Sequence, residues 1–159
     1  MTVNNSLNDK YNREVASFAS AALKGLGQIM LQANPYAGFI ILLGIGYGSL
    51  EMALAALLAT TCGTATAYIL GYDKKETSEG LYGFSASLVG VAMVLFLNTG
   101  ILSWLLIIIG SAIAAIVQHF FIKKKIAVFT FPFVLVTWLI MLIFSFYFLC
   151  ILDKLFLDR

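Results

Sequence analysis

The chain has 159 residues, of which 61% are hydrophobic and only 11% are charged, and its net charge is +2. Its mean hydropathy is +0.95, whereas about a quarter of the residues of a typical soluble domain are charged. These values exclude an ordinary soluble domain and a basic nucleic-acid-binding protein, and they indicate a multi-pass integral protein of the cell membrane.

The chain begins with a polar segment, residues 1–13, which lacks the apolar core and the cleavage site of a signal peptide. We expect residues 14–152 to form a single transmembrane domain and residues 153–159 to form a short tail. Apolar stretches of about 20 residues can cross a bilayer. In chain order, the candidate stretches are 15–32, 36–50, 52–70, 81–97, 101–122 and 126–152.

The fourth stretch differs from the others, because its first half contains Gly83, Ser85 and Ser87 and is too polar to face lipid. Its length is also near the lower limit for a crossing. If it dips into the bilayer and returns, the lysines at 123–125 lie on the same side as the N-terminus, as the positive-inside rule prefers. The sequence therefore predicts an all-α integral membrane protein with about five transmembrane helices plus a re-entrant or broken pore helix.

An odd number of crossings would give two joined copies opposite orientations, which is the inverted-repeat arrangement of many transporters. The charges that fix orientation are nearly balanced in this chain. On the five-crossing scheme, one side carries Lys10, Arg13 and residues 123–125, and the other carries Lys74, Lys75, Lys154 and Arg159. This balance fits an antiparallel homodimer, but it also fits a protein of single orientation with a weak bias.

The segment 129–133 places Thr130, Pro132 and three phenylalanines inside the last apolar stretch. A proline within a membrane helix frees an upstream carbonyl, and irregular backbone at this depth is tolerated mainly where it lines a polar path. The segment indicates a slot for a small, planar, polar solute. Two simpler alternatives remain open: Thr130 can bond to its own helix, and Pro132 can mark a kink.

Three segments carry a resemblance to a known family. They are Gly-Gln-Ile-Met-Leu-Gln-Ala-Asn-Pro at 27–35, Gly-Leu-Tyr-Gly-Phe at 80–84 with Leu-Val-Gly at 88–90, and Thr-Phe-Pro-Phe-Val at 130–134 with Thr-Trp at 137–138. In order and spacing they resemble urea transporters, and the resemblance extends over residues 23–138. It implies one of the two inverted halves of such a protein, and the order of the motifs matches the first. It also implies trimeric assembly, with a passive urea pore in each protomer.

The resemblance also implies which residues line the pore. Thr130 matches the pore threonine, Phe84 a phenylalanine of the slot, and Leu88 the apolar residue one turn later. Gln28 matches a polar residue at the mouth of the filter. The predicted set is completed by Leu31, where the family often has phenylalanine, and by Phe131.

Two departures from the family pattern leave the width of the filter open. The residues at 126–127 are Ile-Ala instead of Leu-Pro, and those at 85–86 are Ser-Ala instead of Asn-Gly.

The predicted function is channel-like passive transport of urea, or of a similar small neutral amide, through a pore between two antiparallel copies. A trimer of such dimers would match the family's assembly. The alternative is a non-conducting remnant, or a subunit that needs a separately encoded second half.

No cofactor, metal or enzymatic activity is predicted, because no nucleophile, base or metal-ligand pattern is evident. Cys62 and Cys150 are interpreted as reduced, packed side chains. His119 and Trp104 are interpreted as interfacial residues, and Glu51 as a loop carboxylate.

Overall fold

The computed structural model describes residues 2–97, 100–126 and 129–157, with the side chains of 2–7, 148 and 150–157 left out. Over these residues the chain is helical and contains no strand. The α-helices are α1 (Thr2–Gly27), α2 (Pro35–Gly48), α3 (Leu50–Ile69), α4 (Lys74–Ser78), α5 (Leu81–Phe96), α6 (Ile101–Lys123) and α7 (Phe131–Leu157). A 3-10 turn, Gln28–Met30, follows α1 directly. The prediction of an all-α fold is confirmed.

The break between α1 and α2 follows from the Asn34-Pro35 pair. The Asn34 side chain accepts a hydrogen bond from the Tyr36 backbone N–H at 2.9 Å, which caps the start of α2. Pro35 occupies the first position of α2, where a backbone N–H would make no hydrogen bond within the helix, so its absence in proline costs nothing. The two helices bend by 73° at this point.

The polar stretch 71–80 is more ordered than a simple loop. Asp73 Oδ1 accepts hydrogen bonds from the backbone N–H groups of Lys75 at 2.9 Å and Glu76 at 3.0 Å. This cap starts the short helix α4, and Gly80, at φ 80°, then turns the chain into α5. Glycine suits this turn because side chains disfavour positive φ.

Helix α5 lies at the centre of the fold, in contact with α1, α3, α6 and α7. Its glycines allow close approach to α3. A Cβ atom on Gly83 would lie 2.5 Å from Thr60 Oγ1, and one on Gly90 would lie 2.5 Å from the Ala55 carbonyl oxygen. The main hydrophobic core is built largely around this helix. It consists of Ala55, Ala59, Val89, Met93, Leu97, Ile107, Ala114 and Val136.

Helix α5 is one continuous helix of 16 residues. The prediction that this stretch is broken is therefore wrong, because its glycines pack against neighbouring backbone without interrupting the helix. At 1.5 Å per residue it is about 24 Å long, which is shorter than the hydrocarbon core of about 30 Å. The alternative of a re-entrant helix remains a prediction.

Within residues 2–97, 100–126 and 129–157, two helices, α3 and α6, are long and apolar enough to cross a membrane. A third crossing is obtained if Asn8–Met30 and Pro35–Gly48 count together as one bent span. In the described part of the chain, α5 and Phe131–Tyr147 of α7 are shorter apolar helices. The predicted number of about five crossings therefore remains a prediction.

The last helix begins later than the apolar stretch from residue 126 suggested. Helix α7 starts at Phe131, so Pro132 lies in its first turn and produces no kink within the helix. The irregular backbone lies just before it, where Phe129 has φ 40°. The carbonyl of Thr130 accepts from the Val134 N–H at 3.1 Å, which is the first turn of α7. The segment is a helix start rather than a broken helix.

Three residues assigned minor roles from the sequence can be placed as well. Glu51 is exposed in the first turn of α3, at its junction with α2. Trp104 packs against the main core, so it is more than an interfacial anchor. Cys62 is a free, half-buried thiol, as predicted, whereas the side chain of Cys150 lies outside the described residues.

Candidate functional site

One stripe of α5 is left open by the surrounding helices. Apart from Phe96 at its end, the exposed and half-buried residues of α5 are Leu81, Leu88, Val91, Val94 and Leu95. Leu81, Leu88, Val91 and Leu95 follow the three- and four-residue spacing of a single helix face. Phe84 belongs to the same face, although it is only 7% exposed. Both candidate residues on α5, Phe84 and Leu88, therefore lie on its open stripe.

Gln28 is fixed against the start of α5. Its Nε2 donates a hydrogen bond to the Glu79 carbonyl at 2.9 Å, just before α5 begins. One turn earlier, Lys24 Nζ donates to the Ser78 carbonyl at 3.1 Å. The first motif is thus joined to the beginning of the second by side chain to backbone bonds.

Leu31 lies at the turn that ends the 3-10 segment. Its backbone is left-handed, with φ 57°, and its N–H donates to the Gln28 carbonyl at 2.9 Å. The side chain is 73% exposed. A large apolar side chain held outward at a fixed turn is available to contact another surface.

Thr130 and Phe131 lie at the start of α7, and both are exposed. The Phe131 ring packs edge-on against Phe121 of α6, with 5.6 Å between ring centroids. Further along α7, Val136 belongs to the same buried core as Val89 and Met93 of α5. The elements that carry the first and third motifs therefore both contact α5, which carries the second.

Sequence reasoning missed several polar contacts around α5. Ser85, which replaces the family's asparagine, donates through Oγ to Gln118 Oε1 of α6 at 2.8 Å in a buried site. Ser87 Oγ donates to the Phe84 carbonyl at 2.7 Å. The serines that made this stretch look unsuited to lipid are thus satisfied inside the protein, although no spacing in the sequence connects residue 85 with residue 118.

A second missed cluster lies at the start of α5. The Tyr82 hydroxyl lies 2.5 Å from Glu76 Oε2 and 3.0 Å from His119 Nδ1, and the His119 ring stacks on Tyr72. His119 was predicted only as an interfacial side chain, but it is packed between two tyrosines. Burial raises the pKa of the Tyr72 hydroxyl above its ordinary value, because the charged form would lose water.

The chemistry available at these positions is that of amides, hydroxyls and aromatic rings. Among the described residues, no group of three histidine, cysteine or acidic side chains could hold a metal ion. A glutamine amide and a threonine hydroxyl can bond a neutral solute, and phenylalanine rings can cover its flat faces. Such a set suits recognition and passage of a solute better than bond breaking.

The apolar helices of the described residues place the chain in the class of helical membrane proteins, and comparison with known proteins identifies the family. A model of the urea transporter family matches residues 19–152. The chain therefore belongs to the urea transporter family, as the three motifs predicted. This is a family of transporters, in agreement with the expectation that the chain is not an enzyme.

Curated relatives agree with this membership. The chain is 32% identical over 130 residues to urea transporter 1 of Mus musculus, a match that covers 75% of this chain and 33% of the relative. It is 31% identical over 136 residues to urea transporter 1 of Ovis aries, covering 81% of this chain and 35% of the relative. The chain thus matches about a third of the length of these relatives.

Proposed function

We propose that this chain transports urea, or a similarly small neutral amide, by passive diffusion through a pore formed between two antiparallel copies. The observation that carries the proposal is the open stripe of α5. Other helices pack around α5, yet Leu81, Leu88, Val91 and Leu95 keep exposed surface along one stripe, and the nearly buried Phe84 lies on the same face. A second copy facing this stripe would close a channel.

Within such a pore each candidate residue has a role suited to its chemistry. Urea is flat and carries four N–H donors and one carbonyl acceptor, and stripping its water costs several kcal/mol unless hydrogen bonds replace it. The Thr130 hydroxyl can supply one such bond in the middle of the filter, and Gln28 can supply another at its mouth. Phe84 and its symmetry mate would cover the two faces of the solute.

The remaining candidates would shape the apolar walls. Leu88 follows Phe84 by one turn on the same stripe, and Leu31 and Phe131 present exposed apolar surface on neighbouring elements. Apolar walls reject ions, because an ion would lose its hydration without compensation. Transport of a neutral solute also needs no coupled ion.

The need for a second copy follows from the single set of filter residues. The chain contributes a single slot phenylalanine, Phe84, and a single pore threonine, Thr130. The resemblance implies that a family filter uses two of each, one from each of two halves related by inversion. Two antiparallel copies would supply both halves, and the nearly balanced basic charges are compatible with insertion in both orientations. Three such dimers would match the family's trimeric assembly.

The direct test is urea flux into liposomes that contain the purified chain. We expect flux well above that of empty liposomes, and a clear loss of flux in Thr130→Val, which keeps the shape of the side chain but removes the hydroxyl. Thr66→Val is the matched control, because the Thr66 hydroxyl donates within its own helix to the Cys62 carbonyl at 2.8 Å. Absence of flux from the wild type contradicts the proposal.

A separate outcome would favour the alternative function. If the purified chain is inactive alone but conducts when a second, homologous half is co-expressed, the chain is a subunit of a hetero-oligomer. If it remains inactive in both cases, it is a non-conducting remnant. The flux assay with and without the second half therefore distinguishes a homo-oligomeric channel, a hetero-oligomer subunit and a non-conducting remnant.

A further inference from the structure

A polar network holds the segment before α5 to two other helices. Tyr82 is 1% exposed, and its hydroxyl lies 2.5 Å from Glu76 Oε2 of α4 and 3.0 Å from His119 Nδ1 of α6. The Tyr72 ring stacks on His119 with 3.6 Å between centroids and 6° between planes. The buried phenol thus joins α4, α5 and α6 at a single point.

The Tyr82 hydroxyl donates its single hydrogen to Glu76 Oε2. A carboxylate in its ionised form can only accept, which suits this direction. The phenol oxygen lies within hydrogen-bond distance of His119 Nδ1 and can accept from it in the tautomer that carries its hydrogen on Nδ1. A phenol that donates to an ionised carboxylate makes a charge-assisted bond, which is the stronger class of hydrogen bond.

The same segment is held on its other side by α1. Lys24 and Gln28 donate to the carbonyls of Ser78 and Glu79, at 3.1 and 2.9 Å. Gly80 lies so close to α1 that a Cβ atom there would be 2.3 Å from the Gly25 nitrogen. Residues 76–82 are therefore fixed from both sides, and the start of α5 has little freedom to rotate or slide.

The rotation of α5 decides where Phe84 points. Residues two apart on an α-helix are separated by about 200°. When Tyr82 is drawn inward to Glu76 and His119, Phe84 is consequently turned toward the open stripe. The Phe84 N–H donates to the Gly80 carbonyl at 3.2 Å, so the ring belongs to the same first turn as the network.

We propose that Glu76 and His119 are positioning residues that act through Tyr82 to set the width of the slot at Phe84. The inference rests on the proposed pore, because a slot has meaning only if α5 lines one. The network lies on the packed side of α5, away from the solute. Its effect would therefore be on solute discrimination rather than on solute binding chemistry.

The test compares two solutes in the same liposomes. Tyr82→Phe keeps the ring and removes only the hydroxyl, so the hydrogen bond that fixes the rotation of α5 is lost. The slot at Phe84 should then discriminate less between solutes of different length. We expect the flux ratio of urea to the longer N,N′-dimethylurea to fall by about threefold or more. The ratio does not depend on how many copies are folded, so a purely structural role would leave it unchanged. Tyr68→Phe, at a 45% exposed tyrosine, is the matched control.

Substitutions of Glu76, the acceptor of the Tyr82 hydrogen bond, show whether the effect needs an acceptor oxygen or a negative charge. Glu76→Gln retains an acceptor oxygen and should keep most of the discrimination, whereas Glu76→Ala should lose it. Glu79→Ala is the matched control, because Glu79 joins the contacts described above through its backbone carbonyl. An unchanged flux ratio in a conducting Tyr82→Phe variant overturns the inference.

Hydrogen exchange supplies a readout that needs no transport. The amides of the first turn of α5 should exchange several-fold faster in Tyr82→Phe than in wild type, while those of α3 should not change. Unchanged exchange in that turn also overturns the inference. A wild type that does not conduct overturns the proposed pore instead, so the two failures are distinguishable.

Discussion

Phe84 is nearly buried although it lies on the side of α5 that the other helices leave open. Its ring is therefore held by its own chain, on the same helix face as the exposed residues of the stripe. A side chain supported in this way loses little conformational entropy when a solute or a second copy contacts it. At the scale of single residues, this separates Phe84 from Leu31, whose side chain is mostly exposed.

Gly83 shows how little space some positions have. An added Cβ atom would lie 2.5 Å from Thr60 Oγ1, and that hydroxyl is itself anchored by donating to the Ala22 carbonyl at 3.0 Å. We expect Gly83→Ala to destabilise the protein by about 1–3 kcal/mol through overpacking. Thermal unfolding in detergent measures this. Gly44→Ala is the control, because nothing lies within 4 Å of its added Cβ atom; equal melting temperatures of the two variants would contradict the prediction.

The buried pair of Ser85 and Gln118 gives a second prediction at this scale. Ser85→Ala leaves the Gln118 carbonyl oxygen without its 2.8 Å donor in a buried site, which should cost about 1–3 kcal/mol. Ser87→Ala should cost less, because its hydroxyl bonds to the Phe84 carbonyl in the preceding turn of the same helix. The expected order of melting temperatures is wild type, then Ser87→Ala, then Ser85→Ala, and a reversed order of the two variants would refute it.

At the scale of elements, the bend between α1 and α2 combines a helix cap with close backbone contacts at glycines. The Asn34 side chain caps α2, and a Cβ atom on Gly38 would lie 1.8 Å from the Leu23 carbonyl oxygen. The absence of a side chain at residue 38 lets α2 come this close to α1. Just before this bend, Gln28 is bonded to the Glu79 carbonyl beside the start of α5.

These two features should respond differently to substitution. Asn34→Ala removes only the cap and should cost about 1 kcal/mol. Gly38→Ala should cost more, because the backbones must separate to admit the methyl group. Melting temperatures and protease sensitivity of the 31–34 connection test this order, and a milder effect of Gly38→Ala than of Asn34→Ala would show that the α1–α2 contact is not rigid.

At the scale of the whole molecule, the proposed dimer makes a prediction about orientation. If copies insert antiparallel, a cysteine introduced at the exposed Lys74, with Cys62 and Cys150 replaced by alanine, should be labelled from both sides of the membrane. About half of the protein should react with an impermeant reagent added outside, and the rest only after permeabilisation. Labelling from one side alone would exclude the antiparallel arrangement.

The open stripe offers a second test of assembly. In the same cysteine-free background, a cysteine at Leu88 should cross-link to its counterpart in membranes, because two α5 stripes would face each other across the pore. A cysteine at Ile113, an exposed position on α6, is the control. Cross-linking at residue 113 but not at residue 88 would show that another face forms the contact between copies.

Much of the molecule could be predicted from the sequence, because the signals are local. Apolar stretches, the Asn34-Pro35 cap and the three motifs depend on residues close together in the chain, and they indicated the membrane class, the helices and the family. The broken helix predicted at Pro132 was wrong, because a proline is equally compatible with a kink and with a helix start. The folded chain places it in the first turn of α7.

Only the tertiary structure decided the contacts between distant residues. Gln28 meets the Glu79 carbonyl, Ser85 meets Gln118, and Tyr82 meets His119, across separations of 51, 33 and 37 residues. Such pairs leave no periodic trace, because side-chain direction depends on how whole helices pack and rotate. By itself the sequence determined that the chain is helical, membrane-embedded and a urea transporter family member; packing around α5 decided which of its faces stays open.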